Sequence, residues 1–453
     1  MNIIETNQEQ KDNKTKKIMI GLTITLVLLL IVSIALYITI YYLEGKQFKF
    51  ELDGKTTTVA SDLFVFEGDK IYVSLKDIAP IINYKYYNGG YKQYSEDITS
   101  CYLEGTYEVC TFEENSNKIY KTPIDEIDYE FFTIDEKVKM KNDKLYISSE
   151  GLSIACNLQF SYQANDNKVT IYTLPYLSNY YTTAYKYTAI SNSFKNQKAL
   201  LYNLLVVQNI DNTTTGYDTK NIRYGIYTLS GEEVVGEKYT KIEFIESTKE
   251  FIVTTEENQV GIITATGETK VRPQYDALKQ IDKDLNLYLA TSNNKKGVIE
   301  KNGKTLIYLE YDEIGIDTTQ FQNNNIKNSY ILFNKAIPVK QNGKWGLFDV
   351  KGNVILPLEY DGIGCISSDK RFNNLVVIPD IEGIVVAKNY ELENSRKVTW
   401  YGIVNSSGET LVQAALDTVY SVTNNGREEY TMIHNNTYYD VIDYVNTYVT
   451  KTN

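Results

Sequence analysis

At 453 residues the chain is long enough for two or three domains. Its formal charge of −12 repels a phosphate backbone and argues against nucleic acid as a partner. Seven prolines and 26 glycines exclude collagen and a long disordered linker, and four cysteines are too few for a disulfide framework. Tyr (40 residues) far outnumbers Phe (15), and Ile and Thr are abundant, a bias that suits β-strands.

Ile18 to Leu43 run 26 residues without a charge. A helix needs about 20 apolar residues to span a bilayer core, so this run is long enough even when tilted. Tyr37, Tyr41 and Tyr42 stand at its C-terminal end, where amphipathic rings favour the interface. Lys11, Lys14, Lys16 and Lys17 precede it, against Lys46 and Lys49 after it. The positive-inside rule then places residues 1–17 in the cytoplasm and the bulk of the chain outside. A cleaved signal peptide would have an apolar region of about 7–15 residues ending in small residues. Tyr41-Tyr42-Leu43-Glu44-Gly45-Lys46 offers no such site, so the expectation is an uncleaved signal-anchor helix over 18–43.

Residues 47–175 read as a small α+β domain. Alternation from Lys46 to Glu67 suggests strand, with a turn at Asp53-Gly54-Lys55. The stretch from Asp69 through Tyr86 recurs 74 residues later from Asp143 through Phe160. Each copy predicts a short strand, a helix of one or two turns capped by Ser74 or Ser148, and a second strand. This pattern resembles the stalk domain of extracellular proteins of low-GC Gram-positive bacteria, named for likeness to the N-terminal domain of copper amine oxidases. At the helix starts Ser74-Leu75-Lys76 and Ser148-Ser149-Glu150 replace that family's Pro-Leu-Arg. The resemblance implies a spacer or binding module. Copper is not implied, because a copper site wants several imidazoles and the chain has one histidine, His434. Between the copies, Cys101 and Cys110 flank a candidate hairpin around Glu104-Gly105. A Cys101–Cys110 disulfide and a pair of free thiols both stay open. Cys156 and Cys365 read as small buried hydrophobes.

Residues 176–199 form a connector, and 200–445 carry five repeats. An aromatic or substitute precedes a glycine at Tyr224-Gly225, Val260-Gly261, Lys296-Gly297, Trp345-Gly346 and Tyr401-Gly402. A second glycine follows six residues later at Gly231, Gly267, Gly303, Gly352 and Gly408. Fourteen residues after the first glycine come Tyr239, Tyr275, Tyr311, Tyr360 and Leu416, and Asp276, Asp312, Asp361 and Asp417 follow four of them. That register is the signature of a repeat architecture. Each unit predicts about three short antiparallel strands, with the second glycine in a turn of positive φ. One unit has too little core alone and must stack on its neighbours. The residue before the first glycine is expected to fill the core between units, the glycine to allow close backbone approach, and the Asp to bond backbone amides at the strand end. These residues resemble WG repeats, which implies binding or structural roles and no catalytic residues. A degenerate sixth start near Tyr430 either caps the array or completes a ring. Residues 446–453 form a tail. The longer spacings come from polar insertions at Asp317–Ser329, Ser367–Asn374 and Asn389–Val398, expected to be loops.

The expected fold is mainly β: one N-terminal transmembrane helix, an α+β stalk, and a β-repeat array. A propeller-like arrangement is preferred, with an open β-solenoid as the alternative. Catalytic chemistry finds little support. His434 stands alone, and no phosphate-binding loop, zinc helix or calcium loop occurs. Ser292-Asn293-Asn294-Lys295 matches a Ser-Lys pattern but falls in a turn before a repeat strand. No catalytic, cofactor-binding or metal residue is assigned, and no cofactor is expected. The reading is a non-enzymatic, membrane-anchored binding protein with a protein or glycan partner at the cell surface. Its alternatives are a structural or signalling component of an envelope complex, then an envelope hydrolase with paired carboxylates.

Overall fold

In the computed structural model the uncharged run lies inside one helix, α1 (Asn2–Glu44). Its segment Lys14–Ile38 is long and apolar enough to cross a membrane and is fully exposed. The described residues are all except 1, 45–47, 92–97, 125–129, 185–188, 210–221, 322–325, 327, 367–373, 394, 425–426 and 450–453.

Residues 48–173 fold around one core that draws on the whole segment, from Phe50 through Leu103 to Ile171. Its ends are closed by parallel pairing of Lys49–Leu52 with Lys168–Thr173. The sequence repeat appears as a local pseudo-two-fold axis. Strands Lys70–Ser74 and Lys144–Ser148 pair antiparallel with Val73 opposite Ile147, residues that are themselves 74 apart. Each strand leads into a helix, α2 (Leu75–Ile81) or α3 (Ser149–Cys156). Ser74 Oγ accepts from the Asp77 amide and Ser148 Oγ from the Gly151 amide, so both serines are N-caps. Just past each helix an Asn adopts positive φ, Asn83 (63°) and Asn157 (52°), a conformation that ends a helix at little steric cost. The copies then diverge. Lys85–Asn88 opens a five-stranded sheet running through Ser100–Glu104, Glu108–Glu113, Lys118–Pro123 and Glu130–Thr133, whereas Leu158–Gln163 joins Lys168–Thr173.

The connector contains α4 (Leu174–Ala184) and α5 (Phe194–Gln197), followed by a 3-10 turn at Lys198–Tyr202. Beyond it six sheets succeed one another in chain order, spanning 204–239, 241–275, 277–311, 313–360, 362–416 and 418–440. Sheets two to five contain a four-strand antiparallel path, one strand more than the sequence pattern predicted. The extra strand starts right after the Tyr-Asp marker and is as short as Glu313–Ile314 or Gly362–Ile363, too short to show periodicity.

Every core in the array joins consecutive sheets: first to second, second to third, and so on to fifth and sixth. A closed ring would add a core between the sixth sheet and the first. Among the described residues no such core is present. Instead Leu174 and Leu177 of α4 pack on Leu205 and Val207 of the first sheet. At the other end Val441 and Val445 of α6 (Val441–Tyr448) enter the core of the fifth and sixth sheets. Asp440, where the repeat pattern would place a glycine, is the N-cap of α6 and accepts from the Asp443 amide.

The insertions differ from expectation. Asn389–Val398 extends a hairpin, with Gly383–Glu391 paired to Lys397–Asn405 through Glu391 opposite Lys397, rather than forming a loop. Thr318–Gln320 forms one 3-10 turn within the first insertion. The insertion at 367–374 lies, but for Asn374, outside the described residues.

Candidate functional site

The repeat positions meet in pairs. Tyr224 lies opposite Tyr239, Val260 opposite Tyr275, Lys296 opposite Tyr311, Trp345 opposite Tyr360 and Tyr401 opposite Leu416. Tyr239, Tyr275, Tyr311, Tyr360 and Leu416 are all buried in the cores between sheets. Trp345 packs half-buried against the core of the fourth and fifth sheets, with the Lys340 ammonium 5.3 Å from its ring centre. The first glycine answers a bulge. Trp345 pairs with Tyr360 and Leu347 with Leu356, so Pro357, Leu358 and Glu359 arch across the single residue Gly346. A Cβ on Gly346 would lie 2.5 Å from the Leu356 carbonyl oxygen, and Gly225, Gly261, Gly297 and Gly402 approach their outer strands in the same way. The second glycines, Gly231, Gly267, Gly303, Gly352 and Gly408, all have positive φ. Gly352 also abuts the backbone of Leu306 in the preceding sheet, so it serves both the turn and the stacking.

The aspartates staple neighbouring sheets. Asp361 Oδ1 pairs with Lys344 of its own sheet (2.6 Å), while Oδ2 accepts from the Asn389 amide of the next (2.8 Å). Asp312 does the same with Lys295 (2.6 Å) and the Asn342 amide (2.7 Å), and Asp276 accepts from the Asn293 amide (2.6 Å). The Asp417 amide donates to the Ile433 carbonyl. Burial would raise the Asp361 carboxyl, but the Asn389 amide and Lys344 outweigh it and hold it below the usual Asp range. Asp361→Ala is expected to cost about 1 kcal/mol, read as a lower denaturation midpoint, since one amide and one lysine lose their acceptor.

A second constellation, which no sequence motif announced, joins the domain of residues 48–173 to the array. Glu108 and Lys121 lie on adjacent strands with Cys110 opposite Lys121, so both side chains face one side. Lys121 bonds Glu108 (3.1 Å), the Ile154 carbonyl (2.8 Å) and Asn157 Oδ1 (3.0 Å), and lies 4.0 Å from Glu246. Lys198, from the connector, contacts Glu108 (2.5 Å) and Glu246 of the second sheet (2.9 Å). Asn157 donates to Glu108 (2.9 Å). All four charged side chains are about nine-tenths buried or more. Around them Tyr107 stacks on Phe194 at 4.4 Å, Asn196 donates to the Ile242 carbonyl and accepts from the Phe244 amide, and Lys283 of the third sheet sits 3.8 Å from the Phe132 ring centre.

Two lysines and two glutamates balance, so a site that could not hold one lone charge holds four. Burial would raise the Glu108 carboxyl, but Lys121 and Lys198 overcome it and bring its pKa to about 2. Lys121 is pushed the other way: burial would lower it, and Glu246 and Glu108 raise it well above the usual lysine range. The folded value of Glu108 lies below its ordinary 4.5, so its stabilisation is complete above about pH 4.5 and is lost as pH falls toward about 2. That contribution is on the order of 3 kcal/mol. An acid titration of the folded chain is expected to show the junction loosening in that window, and Glu108→Gln should flatten this part of the pH dependence. The available sequence signal was weak: Lys121 sits two residues after Ile119 on the apolar side of a strand.

The Cys101–Cys110 bridge is not formed, and all four cysteines are free and buried. Cys101 lies opposite Phe112 and Cys110 opposite Leu103, so the two are diagonal on the hairpin. Diagonal neighbours are roughly 7–8 Å apart, beyond the usual disulfide span. Burial pushes the Cys101 and Cys110 thiols up to about 12. Ser292 to Lys295 form a hairpin turn, with Asn293 and Asn294 both at positive φ, and His434 Nδ1 lies 2.9 Å from the Ala415 carbonyl oxygen. A shallow depression of about 460 Å³ between the end of α2 and the Glu104–Thr106 turn holds one carboxylate, Glu104, 3.4 Å from Lys85. Among the described residues no group of three His, Cys, Asp or Glu could hold a metal ion.

Residues 345–370 match the family described as WG containing repeat. No curated protein matches the chain. Among solved structures, the crystal structure of a eukaryotic initiation factor is similar at 10% identity, covering 77% of this chain and 86% of that one, with a TM-score of 0.26. The WD40 domain of Toxoplasma gondii coronin is similar at 11% identity over 53% of this chain and 67% of its own, with a TM-score of 0.20. A prolyl endopeptidase is similar at 8% identity over 77% of this chain and 46% of its own, with a TM-score of 0.22. At these scores the likenesses carry no argument about ring closure or function. The chain thus contains a WG-repeat segment within a mostly β body that follows an apolar N-terminal helix.

Proposed function

We propose that this protein is a non-enzymatic interaction protein of the cell envelope, anchored by α1 with its N-terminus in the cytoplasm and its β body outside. The observation that carries the reading is the buried four-charge junction. A repeat array locked to a membrane-proximal domain is held at a fixed distance and orientation, which is what a surface-display module needs. The membrane-proximal domain serves as the stalk, of the type resembling the N-terminal domain of copper amine oxidases in low-GC Gram-positive bacteria. The array is an open stack of sheets, capped by α4 and α6, and its outer strands meet a protein or glycan partner. The fifth sheet's long hairpin, with Tyr390 packed on Trp400 at 4.6 Å, offers such a partner a contact element.

The test is protease treatment of intact cells carrying an N-terminal and a C-terminal epitope. The C-terminal epitope should be removed while the N-terminal one survives in the membrane fraction, and in-cell cross-linking through the array should yield a discrete partner. A chain released to the medium without its N-terminal epitope, or an array shielded from protease, would contradict the anchored topology. Absence of any cross-linked neighbour would contradict the interaction role.

A further inference from the structure

Three strands of the 48–173 domain bring aromatic rings to the end at which the chain enters it from α1. Phe48 precedes the strand Lys49–Leu52, Phe66 stands near the end of Phe64–Glu67, and Tyr162 near the end of Leu158–Gln163. The ring centres of Phe48 and Phe66 are 5.8 Å apart, and those of Phe66 and Tyr162 5.3 Å. Behind them lies the core, where buried Phe64 sits 5.1 Å from Phe48 and 5.6 Å from Phe50. Phe48 is half-buried, but Phe66 and Tyr162 are 41% and 37% exposed. Single exposed apolar side chains are ordinary, whereas a contiguous cluster of them marks a contact surface.

The register sets this end opposite the charge cluster. Lys49–Leu52 and Lys168–Thr173 run parallel, so the chain enters the domain beside Phe48 and leaves it at the far end, at Thr173. Leu158 lies opposite Thr173 and Gln163 opposite Lys168. Asn157, which bonds Glu108 in the cluster, therefore stands five residues of strand, about 17 Å, from Tyr162. Three lysines bordering the rings are held in ion pairs: Lys139 with Glu67 (2.6 Å), Lys168 with Glu51 (2.8 Å) and Lys70 with Glu136. Asp69 and Asp166 offset the exposed Lys49. The surface offers apolar area without an excess of positive charge.

We propose that this end of the domain seats on the outer leaflet of the membrane that α1 spans, with Phe48, Phe66 and Tyr162 lodged between headgroups and acyl chains. The seat rests on the anchored topology proposed above. The uncharged helix from Ile18 to Leu43 is about 39 Å long, against a hydrocarbon core of about 30 Å, so its end reaches the headgroup layer. Three residues separate Glu44, the last of α1, from Phe48. That stretch of chain reaches at most about 14 Å, which keeps the rings close to the bilayer surface. Aromatic side chains favour this layer, and insertion asks for exposed apolar area rather than a free ring face. A second contact beside α1 then holds the array, at the opposite end of the domain, away from the bilayer.

The test places a nitroxide at Ala164→Cys, in the exposed turn after Tyr162, on the full chain reconstituted into phosphatidylcholine vesicles; all four native cysteines are buried. Collisions with oxygen, which partitions into the bilayer, should outweigh those with an aqueous nickel chelate, and a label at Glu268→Cys on the array should show the reverse. Phe66→Ser/Tyr162→Ser should lose this immersion, while Phe66→Leu/Tyr162→Trp keeps it. Gln163→Glu/Asn165→Glu keeps every ring and adds charge at the turn; it should weaken the immersion without lowering the melting midpoint, which separates loss of the seat from loss of fold. Exchanging part of the lipid for phosphatidylglycerol should change nothing. A wild-type label as aqueous as the one on the array, or immersion indifferent to both the serine and the glutamate pairs, overturns the proposal. So does immersion that requires the anionic lipid, or dipolar broadening between the labels of two chains, which would give this end to a second copy. Flotation of the vesicles after an alkaline wash reads the anchor separately. Chains that float while the label stays aqueous refute the seat alone, and chains that do not float refute the anchor and the seat with it.

Discussion

Lys121→Met is expected to destabilise the docked body by about 3–5 kcal/mol, the usual consequence of removing one member of a buried ion cluster. The methionine fills similar volume, so the loss reads charge rather than a cavity. It would leave Glu108 and Glu246 sharing one lysine, Lys198, and would strip partners from the Ile154 carbonyl and Asn157. The companion variant Lys121→Met/Glu108→Leu removes one charge of each sign and leaves the Lys198–Glu246 pair at 2.9 Å. It should recover most of the lost stability, because apolar replacement of a buried pair is often neutral. Equilibrium denaturation of the full chain, followed through the double-mutant cycle, measures this coupling. A single-mutant cost below about 1 kcal/mol would place the cluster among ordinary surface ion pairs.

Gly346→Ala is expected to cost about 3 kcal/mol or more, a value reserved for changes that displace backbone. The new methyl would sit 2.5 Å from the Leu356 carbonyl oxygen and 2.9 Å from the Pro357 carbonyl carbon. Neither is a flexible side-chain end, so the outer strand of the fourth sheet has to move. That strand carries Tyr360 into the next core, and the damage spreads to the fifth sheet. Gly343→Ala is the matched control two residues from the bulge strand's marker. Gly343, unlike Gly346, has positive φ (78°), and open space surrounds its Cβ direction, so only the backbone penalty of about 1–2 kcal/mol applies. Gly352→Ala should exceed both, since positive φ and contact with Leu306 act together. Melting curves of the three variants give the ranking, and a Gly346→Ala cost no greater than that of Gly343→Ala would remove the steric argument.

The parts of this fold that were legible in sequence are those written in short-range pattern. The uncharged run predicts α1 because a membrane-spanning helix needs only composition and length. The glycine register predicts the stacked sheets, because each glycine answers a local demand for positive φ or for a backbone crossing. The Ser74 and Ser148 caps follow from residues three apart. What stayed hidden depends on distance along the chain. Glu108, Lys121, Lys198 and Glu246 come from four separate stretches, and each alone looks like one more surface charge. The first strand of the fourth and fifth sheets is two residues long, below any periodicity. Cys101 and Cys110 flank a turn as a bridge would, yet a register set by the whole sheet leaves them diagonal. Ring closure turns on the angle between sheets, which no residue pattern states.

The central claim is that the domain of residues 48–173 and the repeat array are one rigid body locked by the buried charge cluster. All four native cysteines are buried, so spin labels can be placed at two exposed positions, Asp166→Cys and Glu268→Cys, one on each part. Pulsed electron–electron resonance on the full chain should give a single narrow distance distribution that broadens when Lys121→Met is added. A broad or multi-peaked distribution with the junction intact would contradict the account.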